Sequence, residues 1–368
     1  MKVQIFSGRV HHWIKLKNLY EGLESNGHDV EFLITNNAIN IDPPAEYMFH
    51  SGFKYNHVYD YVNSVKNSYF HAPETVSKYI PPFWQVYSQR ELFEFANGVQ
   101  NIWKQNGKPD VVLILHANNF WTKMLAYLCQ QNGIAVYAFQ EGLLRKRDQQ
   151  TLNKQASSAD YCNGIFVWSE NERQQYIEAG IDESQIIVSG PVHLDRKYHP
   201  QRITGKKPMV LLAIPSVNEY IGDWQKDVKA IANYCQNNGF ELMFRPHPFE
   251  KHLVSHLPSD VAYDVNDDAL PVLVNARLVL GQHSTIVLEA VLLGIPAMEY
   301  NFSGKTLTEP LSSLGLADYI GSIDDLSKIE GSIRYGKSDV NVSALNSFRV
   351  PLDNVVKSIV EYLESKHD

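Results

Sequence analysis

The side chains best placed to do chemistry fall in four short loops, each directly after an apolar run. In the first, Gln140, Glu141 and Gly142 follow AVYAF at 135–139, with Arg145 close behind. A carboxylate at the mouth of a sheet is partly desolvated, which raises its pKa and suits Glu141 to general-base work. Gly142 permits a tight turn or close ligand approach. A Glu141–Arg145 pair that merely holds the loop is the alternative. In the second, Arg245, Pro246, His247 and Pro248 follow ELMF at 241–244. Prolines on both sides aim the His247 imidazole, and Arg245 adds a planar cation suited to phosphate oxygens. A polar surface histidine is the alternative here. In the third, Gly281, Gln282, His283, Ser284 and Thr285 open a helix that carries Glu289. Exposed amides and hydroxyls at a helix N-terminus form an anion site, and plain capping by Ser284 or Thr285 is compatible with it. The fourth is the polar loop at 214–218 around Ser216. Ser7, Gly8, Arg9 and His11 occupy the equivalent place near the N-terminus. His11, His12 and His193 have no ligand at metal-binding spacing, so no metal is expected.

Strands and helices must alternate to place these loops. VQIF at 3–6 reads as a strand, Trp13, Leu16, Leu19, Tyr20 and Leu23 recur at helical spacing, and residues 29–35 form the next strand. Residues 36–82, rich in Tyr, Asn, His and Pro, lack a period and read as an irregular insertion suited to contacts with an acceptor substrate. A helix over 89–105 leads to PDVVLIL at 109–115, an apolar strand of the kind buried on both faces. A helix over 120–132 and strands at 135–139, 164–168 and 186–189 follow. Ser169 and Glu172 are spaced as a capping box for a helix ending at Ala179. The turn-rich stretch 201–208 reads as a linker. Beyond it, strands at 209–214, 241–244, 277–280 and 295–298 alternate with helices over 223–237 and 286–293, and an amphipathic stretch at 351–365 reads as a closing helix. The expected fold class is α/β, two doubly wound Rossmann-like domains facing a cleft, over residues 1–200 and 201–350, with residues 351–368 as the closing helix. In such sheets ligands bind beyond the carboxyl ends of the strands, where all four loops fall.

Composition narrows the functions. A chain of 368 residues is long enough for two cores. The formal net charge of −8 supplies no excess of cations to displace phosphate counterions, so a nucleic-acid partner is not expected. Three cysteines, Cys129, Cys162 and Cys235, have no CxxC spacing and read as buried or free thiols of a reducing compartment. Neither a signal-peptide pattern nor a run of about 18 apolar residues occurs, which points to a cytoplasmic protein. The dinucleotide, P-loop and nucleophile-elbow glycine motifs are missing from the sequence.

In this order, over about residues 109–321, the loops resemble the GT-B superfamily of nucleotide-sugar enzymes. One branch is similar to the non-hydrolysing UDP-N-acetylglucosamine 2-epimerases, through PDVVLILH at 109–116, QEGLLR at 140–145, the stretch from IIVSG at 186–190 to Asp195, and the 284–296 helix region. On that resemblance the family's HGDT aspartate falls on Asn118, its PEE glutamates have no counterpart near 151–154, and its His-Arg-Arg-Glu loop is replaced by 215–219. An epimerase that removes and returns a proton cannot lose most of its acid–base groups. The other branch resembles bacterial sialyltransferases and related transferases of CMP-activated keto-sugars. Their acidic [DE]-[DE]-G motif reads Gln140-Glu141-Gly142, their HP motif His247-Pro248, and their Ser-Ser or Ser-Thr pair Ser284-Thr285.

This second resemblance implies transfer of a nonulosonic acid or Kdo from a CMP donor to a glycan or glycolipid acceptor, in bacterial surface polysaccharide synthesis. Glu141 would be the base and His247 would act at the donor phosphate. Ser216, Arg245, Pro248, His283, Ser284, Thr285 and Glu289 would bind the donor. Gly8, Arg9, His11, Asn118, Gln140, Gly142 and Arg145 would line the acceptor side. The nucleotide sugar would be a substrate, with no cofactor or metal. A membrane-bound acceptor would place the protein at the inner face of the membrane, although no basic amphipathic helix argues for contact. The alternatives are a UDP-sugar transferase or epimerase-like enzyme and, from another class, a non-catalytic sugar-nucleotide-binding protein.

Overall fold

Short apolar runs joined by amphipathic helices leave the chain one economical arrangement, a parallel sheet covered on both faces. It adopts this arrangement twice. In the computed structural model the described residues are 1–8, 10–35, 53–61, 85–115, 120–142, 161–203, 207–282, 284–305, 307, 310–335 and 351–367. They form two units, the first from Met1–Leu144, Asp148–Asp195 and Pro351–Asp368, the second chiefly from Arg196–Val350.

The first unit contains β1 (Lys2–Ser7), β2 (Asp29–Ile34), β3 (Tyr55–His57), β4 (Val111–Leu115), β5 (Ala135–Phe139), β6 (Gly164–Val167) and β7 (Ile186–Val188). Their order in the sheet is β3-β2-β1-β4-β5-β6-β7, every pairing parallel, with Ile5 between Phe32 and Leu113. Helices α1 (Val10–Ser25), α2 (Gln85–Asn106), α3 (Phe120–Gln131) and α4 (Glu170–Glu178) cover it. The strand order reverses between β1 and β4, the switch point where such sheets open a ligand crevice. All five residues of β4 are buried, as an apolar central strand requires.

The second unit contains β8 (Met209–Ala213), β9 (Glu241–Arg245), β10 (Ala262–Tyr263), β11 (Leu278–Gly281), β12 (Ala297–Tyr300) and β13 (Asp318–Ile320). They pair in the order β10-β9-β8-β11-β12-β13, again all parallel. Its helices are α5 (Trp224–Asn237), α6 (Leu270–Leu273), α7 (Thr285–Leu292) and α8 (Ser327–Tyr335). The closing helix, α9 (Val355–His367), belongs to the first unit. Buried Asp195 caps it by accepting from Val356 N at 2.9 Å, His28 Nε2 meets Glu364 Oε1 at 2.9 Å, and Tyr362 packs edge-on to Tyr137.

Several local expectations change. Within the expected irregular stretch 36–82, residues 55–57 add β3 as an edge strand beside β2, while 36–52 and 62–82 lie outside the described residues. β12 begins two residues later than the periodicity suggests, because Ile295 N still closes the preceding helix onto Ala290 O and Pro296 has no N–H to give a ladder. Ser169 is the N-cap of α4, but no capping box forms there. Its hydroxyl donates to the Glu172 carboxyl instead of accepting a backbone amide. Cys129, Cys162 and Cys235 are unpaired and buried, and burial pushes the Cys162 thiol up to about 12. Among the described residues no helix is long and apolar enough to cross a membrane.

Candidate functional site

In the first unit, the strand β5 delivers Gln140, Glu141 and Gly142 to the carboxyl edge of the sheet. Gln140 N extends the ladder onto Phe166 O at 2.9 Å. Its buried side chain then works in both directions: Oε1 accepts from Trp168 N at 2.9 Å, and Nε2 donates to Gly142 O at 2.8 Å. The Trp168 indole donates to Gln140 O at 3.1 Å. A carboxylate at position 140 could accept but not donate, so an amide suits this place where the sialyltransferase motif carries an acid. Gln140 is thus a loop-holding residue.

Glu141 reaches solvent, its side chain 27% exposed. Nearly buried His12 places Nε2 3.9 Å from Glu141 Oε1, and Lys15 Nζ donates to Glu141 O while lying 5.8 Å from the centre of the Trp168 ring. His12 and Lys15 stand three residues apart on α1 and so share a face. Sequence reasoning missed both. The local signal was an HHW-I-K pattern at the first turn of a helix, and choosing His12 from it requires knowing which face meets β5. Gly8 has only ordinary contacts around an added Cβ, the nearest at 3.6 Å, so sterics do not demand glycine there. Arg9, Asn118 and Arg145 lie outside the described residues, as does the side chain of His11.

In the second unit three predicted loops come together, because β9, β8 and β11 are neighbours in the sheet. Glu250, another residue the sequence did not single out, ties the first two. Its Oε1 accepts from Ser216 Oγ at 2.9 Å and from Val217 N at 3.3 Å, while Glu250 N donates to His247 O at 2.7 Å. Gln282, fully buried, ties the third: Oε1 accepts from Ile221 N at 2.9 Å and Nε2 donates to Ile221 O at 3.0 Å. His247 and Pro248 are half-buried on this rim. Beneath it Tyr220 donates to Asp227 Oδ2 at 2.8 Å, and burial raises the pKa of that carboxyl.

Arg245, expected at a phosphate, has another partner. Its nearly buried guanidinium pairs with Asp264, and Nη2 lies 3.4 Å from Asp267 O. Asp264 is held in turn by Asn266, and Lys251 holds Asp267 at 2.5 Å. The arginine therefore braces the end of β9, and with it the His247 loop.

The third loop starts α7. Gly281 is required by packing: a Cβ there would lie 2.6 Å from Val287 Cγ2 and 3.3 Å from Ala213 O. Ser284 is the N-cap of α7, with extended φ/ψ of −102° and 133°, yet its side chain makes no capping hydrogen bond. Its half-buried hydroxyl and the first amides of α7 thus stand at the switch point between β8 and β11, an arrangement suited to an anionic group. Thr285 and buried Glu289 lie four residues apart on one face of α7. His283 lies outside the described residues. Among the described residues no three His, Cys, Asp or Glu side chains gather as a metal site.

No protein-family model matches this chain, and no curated protein sequence matches it significantly. Solved structures do match in shape. UDP-GlcNAc 2-epimerase from Neisseria meningitidis, bound to UDP-GlcNAc, is 16% identical with a TM-score of 0.67, covering 99% of this chain and 100% of that one. The UDP-GlcNAc 2-epimerase from Methanocaldococcus jannaschii is also 16% identical, with a TM-score of 0.66 and the same coverage. The glycotransferase of kitacinnamycin is 13% identical with a TM-score of 0.61, covering 99% of this chain and 98% of that one. At these identities the likeness concerns fold, and with the two parallel sheets of seven and six strands it gives the chain a two-domain α/β fold of the GT-B type.

Proposed function

We propose that this chain is an enzyme acting on a nucleotide-activated sugar, with a UDP-linked sugar as the favoured substrate and transfer to an acceptor as its chemistry. The observation that carries the reading is the start of α7. A serine hydroxyl that makes no capping hydrogen bond stands with the N-terminus of α7 at the switch point of the second sheet, beside the loops of His247 and Ser216. Such a rim suits a pyrophosphate, and His247 would stabilise charge growing on the leaving phosphate. Glu141 would take the proton of the attacking hydroxyl, with His12 Nε2 3.9 Å from its carboxylate. Likeness to structures described as UDP-GlcNAc 2-epimerases supports the uridine nucleotide. The replacement of the epimerase acid–base groups at Asn118 and residues 215–219 supports transfer over epimerisation.

A second reading, a CMP-linked keto-sugar as donor, is favoured by the Glu141-Gly142, His247-Pro248 and Ser284-Thr285 pairs, each just beyond the end of a parallel strand. The acceptor on either reading is a glycan or glycolipid. A thermal-shift panel of UDP, UDP-N-acetylglucosamine, CMP, CDP and ADP separates the two. A ligand at 100 times its Kd adds about 2.7 kcal/mol of stability. Selective stabilisation by the uridine compounds is the expected result. Selectivity for CMP moves the keto-sugar donor to first place, and indifference to all five removes both readings.

The Ser284 hydroxyl offers a sharper test. Loss of a capping side chain ordinarily costs about 0.5–2 kcal/mol. Because Ser284 makes no capping bond, Ser284→Ala is expected to leave urea unfolding of the free protein within about 0.5 kcal/mol of wild type, the usual scatter for neutral changes. The same variant should reduce the nucleotide-induced increment in stability.

A further inference from the structure

Glu172, on the first turn of α4, is completely buried, an unusual place for a carboxyl. Among the described residues it has no salt-bridge partner. The Ser169 hydroxyl donates to Oε2, while Oε1 has no hydrogen-bond partner among the described residues. Gln175 Oε1, three residues along the same helix, is likewise buried without one. Both acceptors lie on one helix face and neither finds a donor among the described residues, an arrangement that disfavours a charged carboxylate at this place. Burial raises the pKa of this group, partly offset by Ser169, its own backbone amide and Gln140, and buried Tyr176 is a titratable neighbour.

The groups around Glu172 all lead to one loop. Ser169 follows Trp168, whose backbone N–H and indole both bond to Gln140. The Gln140 side chain interacts with Glu172 and also holds Gly142 O. The path Glu172–Ser169–Trp168–Gln140–Gly142 therefore passes on both sides of Glu141, which sits between Gln140 and Gly142 in the chain.

We propose that Glu172 is a positioning residue for Glu141, fixing the Gln140–Gly142 loop through Ser169, Trp168 and Gln140. The proposal rests on the reading of Glu141 as the base. In this role the residue acts through its shape and its acceptor, so glutamine can replace it: the amide keeps the side-chain length and an acceptor for Ser169.

The test compares Glu172→Gln with Glu172→Ala, read by amide hydrogen exchange and by steady-state turnover of the nucleotide sugar identified in the thermal-shift panel. Glu172→Ala is expected to speed exchange about tenfold in segments 139–142 and 167–169, since freed hydrogen bonds open locally. Exchange in β8 and β9 of the second unit should not change. It should also lower kcat about tenfold or more with KM for the nucleotide sugar unchanged, as expected when only the geometry of the base is disturbed. Glu172→Gln should restore both to within about threefold of wild type, the scatter expected for a near-isosteric change. Unchanged loop exchange in Glu172→Ala overturns the proposal. So does a Glu172→Gln variant no better than alanine, or faster exchange spread through the whole first unit. If the wild-type chain turns over no nucleotide sugar, the functional reading fails on its own, and the exchange pattern still decides whether Glu172 holds the loop.

Discussion

Replacing Glu141 by alanine is expected to lower turnover of the nucleotide sugar by about 10²–10⁴-fold, the range typical for loss of a general base. The nucleotide-induced increment in thermal stability should not change, because the proposed nucleotide rim of Ser216, His247 and Ser284 belongs to the second unit. The fold should also survive, since the Glu141 side chain is partly exposed and the bonds that hold its loop run from Gln140 and Lys15 to backbone carbonyls, which alanine keeps. Steady-state kinetics and thermal shift on the same preparation measure both effects. Normal turnover by the alanine variant would remove Glu141 from the mechanism. Joint loss of turnover and nucleotide response would show that the residue serves the fold. A pure binding protein would be indifferent to the change in every assay except turnover, which it would lack from the start.

The second large effect concerns stability. The Arg245–Asp264 pair is nearly buried, with side chains 8% and 9% exposed. Removing one partner of such a pair leaves an uncompensated charge and is strongly destabilising, by about 3–5 kcal/mol, whereas replacing both by apolar groups of similar volume is often neutral or better. Arg245→Met is therefore expected to lose about 3–5 kcal/mol in urea unfolding, and Arg245→Met with Asp264→Leu to recover most of it. Correctly folded Arg245→Met should still respond to nucleotide at low temperature, because the guanidinium is engaged within the second unit by Asp264 and Asp267. A variant of wild-type stability that no longer responds to nucleotide would return Arg245 to the phosphate. The bracing role also explains why an arginine stands at the last residue of β9. It stiffens the strand end from which Pro246, His247 and Pro248 depart.

Much of the element order could be read from the chain because its signals are local. A run such as Val111–Leu115 with no polar residue can hardly be anything but a strand buried on both faces, and it is. Trp13, Leu16, Leu19, Tyr20 and Leu23 mark the buried stripe of α1, and Gly27 and Gly294 follow helices α1 and α7 with φ of +83° and +73°, conformations that glycine adopts without strain. The short strands β3, β10 and β13 escaped. Each has two or three residues at or beside a sheet edge, partly exposed, so neither length nor alternation sets it apart from loop.

The candidate site divides in the same way. That Glu141, His247 and Ser284 follow strand ends was legible, since strand, loop and helix order depends on hydrophobic periodicity within a dozen residues. What each neighbouring residue does was settled by tertiary contact. Arg245 meets Asp264 because β9 and β10 lie side by side, and Glu250 binds Ser216 because β8 and β9 do. His12 comes to Glu141 from 129 positions earlier in the chain, and Gln140 works as a two-way amide only because Trp168 on one side and Gly142 on the other demand opposite hydrogen-bond roles. Periodicity is a property of consecutive residues, so the sequence by itself determined the alternating α/β order and the loops at its strand ends. Hydrogen-bond partners are chosen by proximity across strands far apart in the chain, so only the packed sheets could decide which of those polar residues brace the loops.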